Sequence, residues 1–223
     1  MTNRGMVVGC LTLLLMHSSG VSTKAAGQAP GPLNRSDLRL TIAVFAPPDM
    51  SERVVDRIFA EAKAIWAPTG ISLDWHRVTL KDVVRTWQLD VAIDDGPEGV
   101  ATERAALGSI LFTADGPESS IHLFRGTAEA SILRTAGVGD TSVLTHEILV
   151  GRALGRALSH ELGHYLLKSK EHSPRGLMRA AWRSEEFLAV ERRGFELTPQ
   201  QREIAAHFVQ GPRPEKWRPD DVW

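Results

Sequence analysis

Alternating apolar and polar residues mark the first regular element of the chain. From Leu38 to Ala46 every second residue is apolar, and two prolines follow. This period of two predicts a strand. From Ser51 the apolar residues recur at spacings of three and four as far as Trp66, and Pro68 soon follows. We therefore predict an amphipathic helix with Ser51 as its N-cap.

The later pattern predicts further strands and a final helix. Strands are expected at Ile71 to Val78, Ala106 to Thr113 and Ser120 to Arg125, after a poorly patterned stretch that ends at Gly99. A cap at Thr198, with proline next, begins a helix whose expected apolar face holds Ile204, Ala205, Phe208 and Val209. This order of elements predicts an α+β fold with a mixed, twisted sheet.

The first 29 residues are typical of an export signal. Arg4 supplies a positive charge, an apolar run extends from Met6 to Met16, and small and polar residues follow. The run of about 11 residues is shorter than the roughly 20 that span a bilayer. We expect cleavage between Gly20 and Ala29, export to the periplasm or the extracellular space, and no stable membrane insertion afterwards.

The remainder fits a single domain over residues 30–210, followed by an irregular, proline-containing tail at 211–223. Cys10 is the only cysteine and lies within the apolar run, so the mature domain would have no disulfide and no thiolate ligand. Val7 to Cys10 is similar to a lipoprotein acylation box, but that box follows the apolar stretch, whereas this one precedes most of it. We expect no lipid anchor.

The charge argues against a nucleic-acid-binding protein. The formal net charge is −1, and cleavage of the signal removes Arg4 and Lys24 but no acidic residue, which gives about −3. Without a basic patch or a run of like charges, the chain has no electrostatic footprint for nucleic acid.

A candidate metal site lies in the predicted helix around residue 160. His160, Glu161 and His164 form an H-E-x-x-H sequence. Residues four apart share one helix face, so the two imidazoles can bind one ion while Glu161 lies beside it. Two nitrogen ligands with a carboxylate nearby favour zinc.

The surroundings of the two histidines predict a cleft in a soluble domain. A helical projection places four leucines on one side and the histidines opposite, among apolar residues. Only a narrow side is expected to face solvent, and it holds Arg152, Arg156, Ser159 and Gly163. Charges at Arg152, Arg156 and Lys168 exclude an intramembrane protease.

A catalytic zinc site needs a third protein ligand and one open position. His172 is the best candidate, because it follows the expected helix end near Lys168 and precedes Pro174 and Gly176, which favour a non-helical path back. Glu185 and Glu186 are the alternatives, at the position where zinc enzymes with a glutamate ligand place it.

The motif, the later His172-Ser173 and the run from Gly176 to Ala180 together resemble the metzincin metalloproteases, the matrixin branch most of all. The resemblance implies a zincin-type fold with a long active-site helix, a methionine-containing turn and a C-terminal helix. It also implies that Met178 forms the floor beneath the metal. Ala106 to Phe112 would then be the edge strand that aligns a peptide substrate.

The sequence departs from the metzincin pattern at two positions. Leu167 stands where the family has its glycine, and Lys170 stands where the family has its third histidine, so the loop to His172 is two residues longer. Either the turn is built differently, around Ser169, or His172 is not the ligand. The cysteine-switch propeptide of many matrixins is also absent from the sequence.

Other candidate residues carry weaker expectations. His122 occupies a strand position where matrixins bind a second zinc ion, but it has no clear partners. Ca²⁺ could use the acidic turns at Asp94, Asp95 and Asp115, although exposed acidic turns without metal are commoner. His146 and Glu147 are expected to begin a helix without chemistry. Tyr165 is expected to point towards the leucines rather than the histidines.

These residues together predict an exported zinc endopeptidase. Zinc held by His160, His164 and His172 would activate water, and Glu161 would act as general base and return the proton to the leaving amine. The alternatives are a non-catalytic exported binding domain stabilised by zinc, and a zinc hydrolase of a non-peptide amide. Glu161 argues against the binding domain, because a closed structural site has no use for a free carboxylate.

Overall fold

Five strands form one sheet in the part of the chain that the structure describes. The structure, a computed structural model, describes residues 38–79, 87–96, 106–136 and 142–210. The strands are β1 (Arg39–Phe45), β2 (Ser72–Arg77), β3 (Leu89–Asp94), β4 (Gly108–Thr113) and β5 (Gly116–Phe124). The expected signal with Cys10, and the expected tail, lie outside the described residues.

The sheet is mixed, as the pattern predicted. The strand order is β2-β1-β3-β5-β4, and every neighbouring pair is parallel except β4 and β5, which are antiparallel. β4 is therefore the edge strand among the described strands, and no described strand pairs with its outer side.

Five helices accompany the sheet in the described residues. They are α1 (Glu52–Trp66), α2 (Arg125–Ala136), α3 (Val143–Leu167), α4 (Ser184–Leu188) and α5 (Pro199–Gln210), and α1 continues into a 3₁₀ turn at Ala67–Thr69. The side-chain oxygen of Ser51 accepts from Val54 N, and that of Thr198 accepts from Gln201 N. Both predicted caps are confirmed.

The sequence pattern did not predict strand β3 or helix α2. β3 falls in the stretch described as poorly patterned, although Leu89, Val91 and Ile93 are buried and alternate with less buried residues. Its six residues are flanked by segments without a clear pattern, which hid the signal. Helix α2 directly follows β5, and its burial rests mainly on Ala128 and Ile132, too few apolar positions to predict a helix.

Helices α1 and α3 pack closely because two glycines of α3 face α1. A Cβ added to Gly155 would lie 2.6 Å from Glu61 Cβ, and one added to Gly151 would lie 2.5 Å from Arg57 Cβ. Real Cβ atoms essentially never come that close, so the spacing of the two helices requires glycine at both positions.

The prediction that one side of α3 faces solvent is wrong for Arg156, Ser159 and Gly163, whereas Arg152 is half-buried. Arg156 and Ser159 are fully buried, and Gly163 is also buried. Helix α1 and the chain after residue 176 cover this side, so the central turns of α3 are enclosed. A projection of one helix cannot show such cover, because it depends on which distant segments pack there.

The face predicted for α5 is correct only in part. Ala205 is buried, and Phe208 and Val209 pack against the core, but Ile204 is 44% exposed and Ala206 is buried instead. Among the described residues, no helix is both long and apolar enough to cross a membrane.

Candidate metal centre

Three histidines converge at the C-terminal half of α3. His160 and His164 lie one turn apart on the helix, and His172 returns from the loop that follows it. One ring nitrogen from each lies within 4.8 Å of the others, and no other group of three potential ligands of this kind occurs in the described part of the chain. The structure thus brings His172, rather than a glutamate, to the helix histidines.

Backbone carbonyls orient both helix histidines. His160 Nδ1 lies 2.8 Å from the carbonyl oxygen of Leu177, and His164 Nδ1 lies 2.7 Å from that of Ser169. A carbonyl oxygen can only accept, so both Nδ1 atoms carry the proton. Each Nε2 of a neutral ring is then left with a lone pair.

The two lone pairs point into the same small space. The Nε2 atoms of His160 and His164 are 3.1 Å apart. Two acceptors at this distance repel each other unless a proton or a cation lies between them. Nitrogens bound at about 2.0 Å to one tetrahedral zinc ion are roughly 3.3 Å apart, so the observed separation suits a shared metal ion.

Burial keeps the helix histidines neutral. It lowers the pKa of His160 from 6.5 to about 4, and nearby His164 and His172 act in the same direction. Burial also lowers the pKa of His164. At neutral pH both rings are therefore ready to bind a metal ion without first losing a proton.

The way α3 ends accounts for one of the two extra residues in the loop to His172. Lys168 adopts the left-handed conformation, with φ of 49°, and caps the helix with its backbone N–H. Ser169 N then donates to His164 O, and Ser169 Oγ accepts from Glu171 N. The reversal is thus made by Lys168 and Ser169, one residue later than the glycine of the metzincin pattern.

The alternative ligands Glu185 and Glu186 belong to α4 and have other partners. Glu186 accepts hydrogen bonds from Arg179 Nη2 at 2.6 Å and from the backbone N–H of Arg183 at 2.8 Å. The bond from Arg179 lowers the pKa of this carboxyl below its usual range. Glu185 is 63% exposed and lies near Arg183.

Met178 lies in a tight turn directly under α3. Arg179 N donates to Gly176 O to close the turn, and Ser173 N donates to Met178 O. A Cβ added to Gly163 would lie 2.1 Å from Met178 Sδ, so the methionine occupies the space that the glycine leaves. The turn itself needs Gly176, whose φ is 79° and whose added Cβ would lie 2.6 Å from Glu196 O.

Glu161 lies between α3 and the start of β4. Its Cγ would be 3.3 Å from a Cβ added to Gly108, and the residue is only 8% exposed. Burial raises the pKa of Glu161 from 4.5 to about 7. Phe112, also on β4, makes an edge-on ring contact with His164. The edge strand therefore borders both the Glu161 carboxylate and His164.

The weaker candidates have partners elsewhere. His122 Nδ1 lies 3.2 Å from Asp94 Oδ2, and Arg125 binds Asp95. No third ligand joins either carboxylate within the described ranges, so neither a second zinc site nor a calcium site gains support. Glu147 accepts from Ser51 Oγ, which ties the start of α3 to α1.

Tyr165 is directed away from the histidines, as predicted. Its hydroxyl donates to Gln88 O, and its ring contacts Phe208.

Comparison with known proteins gives only distant likenesses, all of them among solved structures. No protein-family model matches the chain, and no curated protein matches it. Among solved structures, archaemetzincin from Methanopyrus kandleri is similar, with a TM-score of 0.47 and 12% identity, over 81% of this chain and 99% of that chain. A likeness this distant shows nothing about the chemistry of the site.

Replacing Gly163 by alanine should destabilise the domain. At an exposed helix position, changing glycine to alanine raises the unfolding free energy by about 1 kcal/mol. Here the new Cβ meets buried Met178, and overpacking of this kind lowers the unfolding free energy by about 1 to 3 kcal/mol. Urea unfolding of Gly163→Ala, alone and combined with Met178→Ala, measures the effect. The cost should shrink in the Met178→Ala background, and an equal cost in both backgrounds would contradict the contact.

The third ligand can be identified by zinc affinity. His172→Ala should weaken zinc binding at pH 7 at least about 100-fold, more than the loss of an outer hydrogen-bond partner usually does. Glu185→Gln and Glu186→Gln should each change it less than tenfold. Competition with a chromogenic chelator measures all three, and a larger loss in either glutamine variant would assign the ligand to α4.

The metal-free domain should show opposing pH effects. His160, with its lowered pKa, costs stability as the pH falls from 6.5 towards 4, because only the unfolded chain then takes up a proton. Glu161, with its raised pKa, contributes stability at low pH that is lost as the pH rises from 4.5 through 7.

Removing the glutamate should therefore expose the histidine effect. Between pH 7 and 4.5, chelator-treated Glu161→Gln should lose on the order of 2 to 3 kcal/mol more unfolding free energy than the wild type. Glu203→Gln, an exposed change on α5, is the control. If the unfolding free energies of wild type and Glu161→Gln change in parallel with pH, the pKa of Glu161 is not raised in the folded protein.

Proposed function

We propose that this protein is a zinc-dependent metallopeptidase. The observation that carries the proposal is the pair of Nε2 lone pairs of His160 and His164, 3.1 Å apart and fixed there by carbonyls on both Nδ1 atoms. His172 is placed to add a third nitrogen, and no fourth protein ligand joins them among the described residues. Three nitrogens with an open position are typical of catalytic rather than structural zinc.

The residues present suit zinc and its hydrolytic chemistry. His160, His164 and His172 would hold the ion, and the carbonyls of Leu177 and Ser169 would fix the two helix ligands. A zinc ion held there would lower the pKa of bound water to about 7 and polarise a substrate carbonyl.

Glu161 is the residue proposed to move the proton. It follows His160 in the helix, is largely buried, and has a pKa of about 7 in the absence of a cation. A divalent cation beside it would lower that pKa and so favour the carboxylate, the form that accepts a proton from water. Glu161 would then return the proton to the leaving amine.

Edge strand β4 is proposed to align the substrate. It borders His164 through Phe112 and Glu161 through Gly108, and its Leu111 is 61% exposed. An extended peptide added to this edge would bring a backbone carbonyl past the histidines. A peptide or protein substrate fits such an edge better than a compact small molecule does.

Two further parts of the proposal rest on the sequence. The motif and Met178 resemble the metzincins, and the matrixin branch is the narrower hypothesis. Because the first 29 residues are typical of an export signal, we also propose that the protein is exported. The non-catalytic binding domain and the hydrolase of a non-peptide amide are the competing functions that the experiment below must separate.

Incubation with a diverse peptide library tests the function. The zinc-loaded protein should generate new peptide termini, detected by mass spectrometry, and Glu161→Gln should be slower by at least about 100-fold, because loss of a general base typically costs that much. Glu203→Gln, the same charge change at an exposed position of α5, should keep full activity.

Other outcomes would redirect the proposal. If neither wild type nor Glu161→Gln cuts any peptide while both retain zinc, the peptidase assignment fails. Cleavage of simple non-peptide amides would then favour the hydrolase, and inactivity on those as well would favour the binding domain.

A further inference from the structure

One face of α3 contacts the segment 177–195 at three positions, 156, 160 and 163. Gly163 receives Met178, and His160 donates to Leu177 O. One turn earlier, Arg156 Nη1 donates to Glu186 O and Nη2 donates to Glu191 O, the latter at 2.8 Å. Positions 156, 160 and 163 are spaced by four and three and so form one stripe along the helix. Arg156 thus belongs to the same contact as the metal ligand.

The guanidinium of Arg156 is fully buried and uses all three of its nitrogens. Nε donates to Glu61 Oε1 of α1 at 2.9 Å, in addition to the two carbonyl bonds. Glu61 Oε2 also accepts from Arg192, at 2.7 and 3.0 Å. One planar fork therefore joins α1, α3 and the segment 177–195, which an ammonium group could not do.

Stacked side chains lead from Arg156 back to the methionine turn. Arg156 lies 4.5 Å from the ring centre of Phe195, and Phe195 stacks on Trp182 with ring centres 3.9 Å apart. Arg179, the residue after Met178, lies over Trp182 at 3.9 Å and binds Glu186. These contacts connect Arg156, one turn before His160, with the methionine turn, whose Leu177 O accepts from His160.

This arrangement is poorly explained by stability alone. Taking charges out of water costs several kcal/mol per ion, and apolar residues of similar volume often replace a buried ion pair without loss. An apolar residue cannot supply three directed hydrogen bonds. Two of those made by Arg156 fix the positions of the backbone carbonyls of Glu186 and Glu191. The contact with Leu177 and Met178 depends on where that segment lies.

We propose that Arg156 is a positioning residue of the metal centre. It holds the segment 177–195 against α3, so that Leu177 O receives the Nδ1 proton of His160 and Nε2 keeps its lone pair for the metal. The inference rests on the proposed function only in taking His160 as a metal ligand.

Arg156→Lys is the most direct test. Lysine keeps a positive charge near Glu61 but cannot reach Glu61 and both carbonyls together. We expect zinc affinity to fall at least about tenfold, as for other outer partners of a ligand. We also expect a changed visible spectrum of the Co²⁺-loaded protein. In the metal-free protein, ¹⁵N spectra should show part of His160 in the tautomer protonated at Nε2.

Two further variants separate positioning from folding. Arg192→Gln removes the exposed partner of Glu61 and leaves the bonds of Arg156, so zinc affinity and the His160 tautomer should match the wild type. The double variant Arg156→Met with Glu61→Leu removes the buried charges while keeping apolar volume, and should fold but show the same loss of zinc affinity and tautomer.

The outcomes distinguish this inference from the proposed function. Wild-type zinc affinity and an unchanged His160 tautomer, in folded Arg156→Lys or in the double variant, would overturn the positioning role. A wild type that cuts no peptide would count against the peptidase alone, since the tautomer and zinc affinity still decide the role of Arg156. If the wild type binds no zinc, His160 is not a metal ligand and this inference fails as well.

Discussion

Two hydrogen bonds to backbone carbonyls determine what this site can do. Because Leu177 O and Ser169 O can only accept, they fix the protons of His160 and His164 on Nδ1 and turn both Nε2 lone pairs towards one point. Repulsion between those lone pairs makes the arrangement unfavourable unless a proton or a cation lies between them. Both carbonyls belong to the chain after α3, so the centre exists only when that chain packs back on the helix.

Small residues make this close packing possible. Gly163 admits Met178 beneath the histidines, Gly155 admits α1 beside Glu61, and Gly176 allows the turn that carries Leu177 and Met178. Arg156 then joins α1 to the returning chain by directed hydrogen bonds. The helix that carries His160 and His164 is thus held by packing on one side and by polar contacts on another, which limits how far the two imidazoles can move.

The sequence was sufficient for what depends on local pattern. The spacing of His160 and His164, the caps at Ser51 and Thr198, and the alternation in β1 are local properties, and the structure contains the elements they predict. The cover over Arg156 and the path to His172 depend on tertiary contacts and on a left-handed Lys168, which no periodicity reveals. The missed strand β3 had the alternation but lacked clear boundaries.

The most direct measurement of the central claim is X-ray absorption spectroscopy at the zinc edge of the zinc-loaded protein. We expect one zinc ion per chain, bound by three imidazole nitrogens at about 2.0 to 2.1 Å and one further light atom that no side chain supplies. A shell with only two imidazoles and a protein carboxylate, or a closed shell of four protein ligands, would contradict it.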